Sequence, residues 1–473
     1  MASDSSAPAS SLADALREAV DAGLPRAIAE LSDLVRIPSV SWDGFDVEHV
    51  RRSAARVAEL ARETGVFDEV DVFDAPIPGT DRRGKPAVLA TRAARDGRPT
   101  VMLYAHHDVQ PEGDPEVWDS EPFEPTLRGD RLYARGAADD KAGVLSHLAA
   151  IRALTAASGA DLDLGLVLFV EGEEEFGSPS FSAFLDEHRD ALSADVIIVA
   201  DSGNWDLDTP ALTVGLRGAV FFNLTVTTLD HASHSGMFGG AVPDAMLAAI
   251  RTLDSLWDEN GSVAVPGLRS RDAATPDYDE ARLRAETGLR EGARPVGTGT
   301  ILSRIWDQPS ITVTGIDAPS VRNASNTLVP SVRVRVSARV APGQSVAEAR
   351  EALIAHLQAN AAFGATLKFG EIEGGEPFLV DASGWAVADA LEVMEEAYGT
   401  EPVQMGVGGS IPFIAELVEV FPEAQILVTG VEDPDSRAHS PNESLHMPTF
   451  RRAILAEALL LSRLDQRSAS DAA

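Results

Sequence analysis

The chain has 473 residues, more than a single hydrophobic core organises, so at least two domains are expected. It contains no cysteine, which excludes disulfides and thiolate metal sites and leaves histidine and carboxylate as the ligand types for any metal. With 39 basic against 74 acidic residues the formal charge is −35, a field that repels phosphate backbones and anionic lipid, so neither a nucleic-acid nor a membrane partner is expected.

Small polar residues at 1–11 and 465–473 read as disordered tails. Leu12, Leu16, Val20, Ile28, Leu31 and Leu34 recur at mostly helical spacing, and Pro25 between them predicts two helices rather than one. No run of about 18 apolar residues follows, and the first residues lack a basic-then-apolar secretory pattern, so the expectation is a soluble, cytoplasmic protein. Short apolar runs at 100–105, 165–170, 196–200 and 425–428 alternate with helical stretches. Val144, Leu145, Leu148, Ile151 and Leu154 share one helical face, and 181–192 reads as another helix. This alternation predicts an α/β domain, a sheet flanked by helices and largely parallel, formed by 12–214 and 376–464.

Between them, 215–375 reads as an inserted α+β domain in two similar halves. Strand 219–228, helix 243–257 and strand 311–314 are followed by strand 331–340, helix 346–360 and strand 366–370. That βαββαβ order is the ferredoxin-like arrangement. The charged, Pro- and Gly-containing stretch 260–299 is a long excursion without an assigned role.

Open α/β sheets bind ligands beyond the carboxyl ends of their strands. There the sequence places His106, His107 and Asp108, then Glu171 to Glu175, then Asp201, then 432–439 with His439. Asp139 and Asp140 directly precede the helix that begins near Lys141. Histidines and carboxylates converging on one sheet edge repel one another unless cations neutralise them, and this donor set suits a binuclear site of zinc or a similar divalent ion. Two metals call for a bridging carboxylate and a separate base, duties that consecutive acids such as Glu174 and Glu175 can divide.

These segments resemble the M20 metallopeptidases. AHHDVQP at 105–111 is similar to that family's histidine-x-aspartate motif, and RGAADDKAG at 135–143 to its bridging-aspartate motif. EGEEEFGS at 171–178 matches its paired glutamates, ADSG at 200–203 its next carboxylate, and AHSPNE at 438–443 its last histidine. The resemblance implies a zinc-exopeptidase-like fold whose insert is a lid and dimerisation domain. It further implies that His106 and Asp201 hold one metal, Glu175 and His439 the other, and Asp139 bridges them. The two divalent ions would be zinc, with manganese as the alternative. Asp108 would orient His106, leaving His107 to face elsewhere. Glu174 would be the general base that takes a proton from a water of lowered pKa and returns it to the leaving amine.

In the insert, His234 of HSGMFGG resembles the histidine that dimeric members extend into the partner's site, which implies a homodimer; His231 competes for that role but lacks the following Ser-Gly. Asn326 and Arg339, with Gly409 and Ser410 of GGSIP, resemble substrate-binding positions, Arg339 as a bidentate grip on a carboxylate. From pattern alone Arg339 is a surface charge beside Arg333 and Arg335, and Asn326 a turn residue. His49, His147, His188 and His356 read as ordinary histidines in helical contexts, while His446 lies close enough to His439 to stay open. The wording of the motifs is nearest the carnosine and cysteinylglycine dipeptidase branch, which implies small peptides as substrates. One rival is an N-acyl or N-carbamoyl amino acid amidohydrolase. Another, from a different class, is a non-catalytic metal-binding scaffold, against which the intact Glu174 argues.

Overall fold

The computed structural model describes residues 12–159, 162–380, 382–408 and 412–467. Residues 1–11 and 468–473, assigned to tails, lie outside that set. The chain divides into two compact units, the second comprising Val214–Leu379 and Met405–Ala415.

In the first unit, Val101–Ala105, Leu166–Val170 and Val196–Val199 are buried at every position. Uninterrupted apolar runs of this kind need helices on both faces of the sheet. The strands lie in the order Glu69–Phe73, Ala87–Arg92, Gly165–Glu171, Thr100–His106, Val196–Val199, Gln425–Val428, followed by the Ala211–Leu216 strand. The sheet is mixed. Its four central strands, from Gly165–Glu171 to Gln425–Val428, run parallel, whereas the strands outside them pair antiparallel. Because the central four point the same way, His106, Glu171, Ala200 and Thr429 emerge at one edge.

The first helix is a single element, Leu12–Val35, with Pro25 inside it, not two. Proline removes one backbone bond and costs about 3 kcal/mol in a helix interior. Burial of Leu16, Val20, Ala27, Leu31 and Leu34 on both sides of it, against Lys141–Ser158 and Met447–Gln466, offsets that cost. The helix ends where the Lys141 ammonium donates to Leu34 O (2.9 Å) and Ile37 O (2.7 Å) just before Pro38. Asp465 and Gln466, expected in the tail, belong to the last helix, and Asp465 Oδ1 accepts from the backbone N–H groups of Asp163 (3.0 Å) and Leu164 (2.8 Å). The helix expected over 181–192 is shorter, Phe181–Glu187.

The second unit is a four-stranded antiparallel sheet in the order Ser310–Asp317, Ser331–Val340, Gly218–Thr227, Thr366–Gly375. Helices Ala245–Asp254 and Val346–Ala359 complete a βαββαβ ferredoxin-like arrangement. Val220, Phe222, Leu224 and Val226 alternate inward to meet Val332, Val334, Val336, Ala249, Leu353 and Leu357. The 260–299 excursion carries helix Glu280–Thr287, N-capped by Asp279, and is tied down by the Arg269–Glu348 and Arg271–Asp307 ion pairs. Among the described residues, no helix is long and apolar enough to cross a membrane.

Behind the parallel strands His147 joins two helices to the sheet. Its Nδ1 lies 2.7 Å from Glu457 Oε1 and its Nε2 2.9 Å from Tyr104 O. Two acceptors require two N–H donors, which only the imidazolium provides. Burial opposes that charge, but Glu457 outweighs it and raises the His147 pKa above 6.5. A raised histidine pKa stabilises the fold fully below the unfolded value and loses that contribution as pH climbs through the folded value. Urea-unfolding midpoints of the native protein should therefore fall as pH rises above about 6.5, and His147→Gln should flatten this dependence.

Candidate metal centre

His106 closes its strand and is fully buried. Its Nδ1 lies 3.4 Å from Asp108 Oδ1 and 3.2 Å from Asp108 O, so that nitrogen carries the hydrogen. Nε2 then points the other way, 3.1 Å from Asp139 Oδ1 and 3.7 Å from Asp201 Oδ1. Orientation of one ring nitrogen by a carboxylate leaves the other free as a ligand. On the far side, His439 Nε2 is 3.0 Å from Asp139 Oδ2 and 3.2 Å from Glu175 Oε2. The two oxygens of Asp139 thus face one imidazole each.

These residues form two groups, His106 with Glu174 and Asp201, and Asp139 with Glu175 and His439. Within each group the potential ligand atoms lie within 4.8 Å of one another. Burial by itself would favour protonated Asp139, but both imidazoles hold its carboxyl well below the usual range. The same burial would discharge His106, yet Asp108, Asp139 and Asp201 keep it well above its ordinary value. Asp139 and Glu175 push His439 up to about 11. Glu175 is raised to about 7 by burial and then by Asp139, and Glu174 is raised well above 4.5 by burial and then by Asp201. Glu432 is raised as well, by burial and then by Asp139 and Asp201. Acids crowded until some must protonate, beside nitrogen donors, are the environment that divalent cations relieve, so the residues fit two such ions.

The loops carrying these groups are fastened by further side-chain bonds, most of them to acids. Asp108 Oδ1 accepts from Glu174 N (3.2 Å), while its Oδ2 accepts from Glu175 N (3.1 Å) and Ser41 Oγ (2.7 Å). Gln110 donates from its backbone N (3.1 Å) and Nε2 (2.7 Å) to the two oxygens of Glu175. Asp140 Oδ2 accepts from His106 N at 3.1 Å. Glu443, wholly buried, receives Arg135 Nη1 (2.7 Å) and the backbone N–H groups of Gly136 (3.1 Å), Ala138 (3.0 Å) and Asp139 (3.2 Å). A small sheet of Thr126–Arg128, Arg131–Tyr133 and Ser444–His446 joins the same two segments. His439, at φ 59°, sits in the left-handed region, which costs a side-chain-bearing residue on the order of 1–3 kcal/mol and is tolerated where surrounding bonds enforce it.

A family profile described as Peptidase family M20/M25/M40 matches residues 102–463. The chain belongs to that family. It is 36% identical over 368 residues to a cysteinylglycine-S-conjugate dipeptidase of Corynebacterium striatum, covering 77% of this chain and 80% of the relative. It is 28% identical to a Cys-Gly metallodipeptidase of Schizosaccharomyces pombe over 93% of this chain and 96% of the relative. In fold it is similar to the di-peptidase Dug1p of Saccharomyces cerevisiae, with a TM-score of 0.77 at 24% identity over 96% of this chain and 99% of that one. Human carnosine dipeptidase 1 gives a TM-score of 0.76 at 23% identity over 97% and 100% of the two chains.

In this M20 family member His107 turns from the two groups toward Pro86 O, at 2.9 Å, and burial lowers its pKa to about 4. His446 bonds Thr449 Oγ1 (2.8 Å). His234, Asn326 and Arg339 belong to the second unit. There His234 pairs with Thr327 across a two-residue ladder, is exposed, and accepts from Gly236 N through Nδ1 (3.1 Å), while Asn326 O accepts from Ser235 N (2.9 Å). His231 is exposed and, among the described residues, bonds its neighbour's carbonyl, Ala232 O. Arg339 is half-buried, its guanidinium 5.6 Å from the Phe221 ring centroid. Gly409 and Ser410 lie outside the described residues.

Gln110, Glu432, Arg135 and Glu443 received no role from sequence, although Gln110, Arg135 and Glu443 stand inside the segments quoted above. Arg135 and Glu443 are both almost inaccessible, and breaking such a pair strands a charge in the interior. Glu443→Ala should cost about 3–5 kcal/mol in urea unfolding, and the double change Arg135→Met with Glu443→Met should cost clearly less.

Proposed function

We propose that this M20 family chain is a two-metal dipeptidase that hydrolyses the peptide bond of small, free-amino peptides. The observation that carries the reading is Asp139, one carboxylate presenting an oxygen to each of two imidazoles, with further carboxylates on both sides. His106 and Asp201 would hold one ion, Glu175 and His439 the other, and Asp139 both. The ions would be zinc, with manganese the alternative, since imidazole and carboxylate suit either. Divalent ions held there supply Lewis acidity, lowering a water's pKa toward about 7 and polarising a carbonyl.

The remaining work falls to the protein's own groups. Glu174 lies with His106 and Asp201 but makes no ion pair among the described residues, and its raised proton affinity suits it to accept a proton from water and pass it to the departing amine. Asp108 keeps His106 in the tautomer that exposes Nε2, and through two backbone N–H groups it fixes the turn carrying Glu174 and Glu175. Arg339 would hold the substrate's terminal carboxylate with Asn326, Gly409 and Ser410, a role supported by its lack of an acidic partner among the described residues. His234, exposed and outside the first unit, would serve the site of a second copy in a cytoplasmic homodimer. The relative named for Cys-Gly dipeptides supports this substrate class.

Zinc or manganese added back to metal-stripped protein should restore cleavage of free dipeptides and not of their N-acetylated forms; the reverse preference would make the enzyme an amidohydrolase. Glu174→Gln should lower kcat by about a hundred- to ten-thousand-fold while metal content, read by elemental analysis, stays unchanged. Sedimentation should give a dimer, and a fully active monomer would remove His234 from the mechanism.

A further inference from the structure

Arg217 stands at the junction of the Ala211–Leu216 and Gly218–Thr227 strands and is buried within the second unit. Its guanidinium reaches four oxygens, none of them a carboxylate: Nε donates to Gly408 O (3.3 Å), and Nη1 to Arg304 O (3.4 Å), Gln308 O (3.2 Å) and Ser310 Oγ (3.1 Å). Its backbone N also donates to Val407 O at 3.2 Å. One side chain therefore ties the strand junction to the segment that leads into Gly409 and Ser410.

Arg339 is its neighbour. Ser310, whose hydroxyl Arg217 holds, is the cross-strand partner of Arg339, and Ala219, two residues after Arg217, is the partner on the other side. Burial and then Arg339 bring the Arg217 pKa down to about 10. The other arginines on the same strand are neutralised, Arg333 by Asp317 and Arg335 by Glu373. Among the described residues neither Arg217 nor Arg339 forms an ion pair. The acid acting on Arg217, Asp307, is itself engaged by Arg271 at 3.2 Å. A buried cation bonded only to neutral oxygens, next to a second unpaired cation, leaves uncompensated positive charge that an anion would relieve.

We propose that Arg217 is a positioning residue for carboxylate recognition: it anchors the Val407–Gly408 segment and supplies, behind Arg339, the second positive charge that selects a substrate ending in a free carboxylate. This rests on the dipeptidase reading and deepens it by naming what distinguishes an acid terminus from a neutral one. Arg217 need not touch the substrate, because a charge enclosed in protein is weakly screened and acts over several ångströms.

The test compares L-alanyl-L-leucine with its C-terminal amide. With the metal-loaded enzyme, Arg217→Gln should raise KM for the acid at least about tenfold with a smaller change in kcat, and leave KM for the amide nearly unchanged, as expected when a weakly screened positive charge is removed. A merely structural role would lower activity on acid and amide in parallel. Arg333→Gln, which removes a neutralised cation from the same strand, should leave the acid-to-amide preference as it was. Arg217→Lys keeps the charge without the fork and should lose a smaller part of the preference, about threefold. If Arg217→Gln does not fold, Arg217→Lys decides: an unchanged preference overturns the proposal. Calorimetric binding of the same two peptides to Glu174→Gln protein, with and without Arg217→Gln, needs no turnover. If neither peptide is cleaved by the unmutated enzyme but the acid still binds more tightly through Arg217, the dipeptidase reading falls and this inference stands. Equal acid preference with and without Arg217 overturns the inference whatever the enzyme cleaves.

Discussion

Crowding of acids at one sheet edge is the constraint from which the architecture of the first unit follows. Asp108, Asp139, Glu174, Glu175, Asp201 and Glu432 gather around two imidazoles, and burial raises the energy of every charge among them. Four parallel strands make the crowding possible, because each delivers its following residues to the same edge. Parallel strands in turn require helices over both faces. The apolar faces of Leu12–Val35, Lys141–Ser158 and Met447–Gln466 are thus part of the same arrangement as the ligand cluster.

The division of labour among the carboxylates is geometric. Asp139 turns both oxygens to imidazoles. Asp108 and Glu443 turn theirs mainly to backbone N–H groups, so their charge fastens the loops. Glu173 behaves like the latter pair, accepting from Lys85 N (2.7 Å), Ser180 N (2.8 Å) and Ser180 Oγ. Chemically identical side chains a few positions apart therefore differ in what they can do, because the fold either saturates their oxygens with donors or leaves them facing the cluster. Glu174 and Glu175 follow Glu173 directly and are left facing the cluster; only Glu175 is further held, by Gln110.

Much of this was legible in the sequence for a simple reason. Runs such as 165–170 end abruptly in acids, and a fully apolar strand followed by chemistry-bearing residues is the signature of a parallel sheet's active edge. The βαββαβ insert was legible because the alternation along 219–228 and 331–340 is local. What was not local was misread or missed. Pro25 carries a breaker's signal, and the helix stays continuous where it packs chiefly against helices more than a hundred residues away. The partnership of Arg135 with Glu443 spans about three hundred positions and has no periodicity to betray it. Asp465 reads as part of a polar tail, yet it caps the entry to the Gly165–Glu171 strand. The roles of individual site residues came from resemblance, since composition alone does not distinguish a bridging aspartate from a loop-fastening one.

Net charge sharpens the meaning of a buried cation that forms no ion pair. In a chain with 74 acids for 39 bases, a guanidinium finds a carboxylate easily, and Arg26, Arg36, Arg56, Arg269, Arg282 and Arg284 all do. Such exposed pairs contribute little to stability, about 0–1 kcal/mol each, so their abundance reflects supply more than design. Against that supply, Arg217 and Arg339 bond or face carbonyls, a hydroxyl and an aromatic ring, and among the described residues neither forms an ion pair. Local acids would neutralise the positive potential there and cancel any preference for an anionic ligand. The lack of an ion pair at both arginines among the described residues is the physical condition that the proposed carboxylate recognition requires against a global field that repels it.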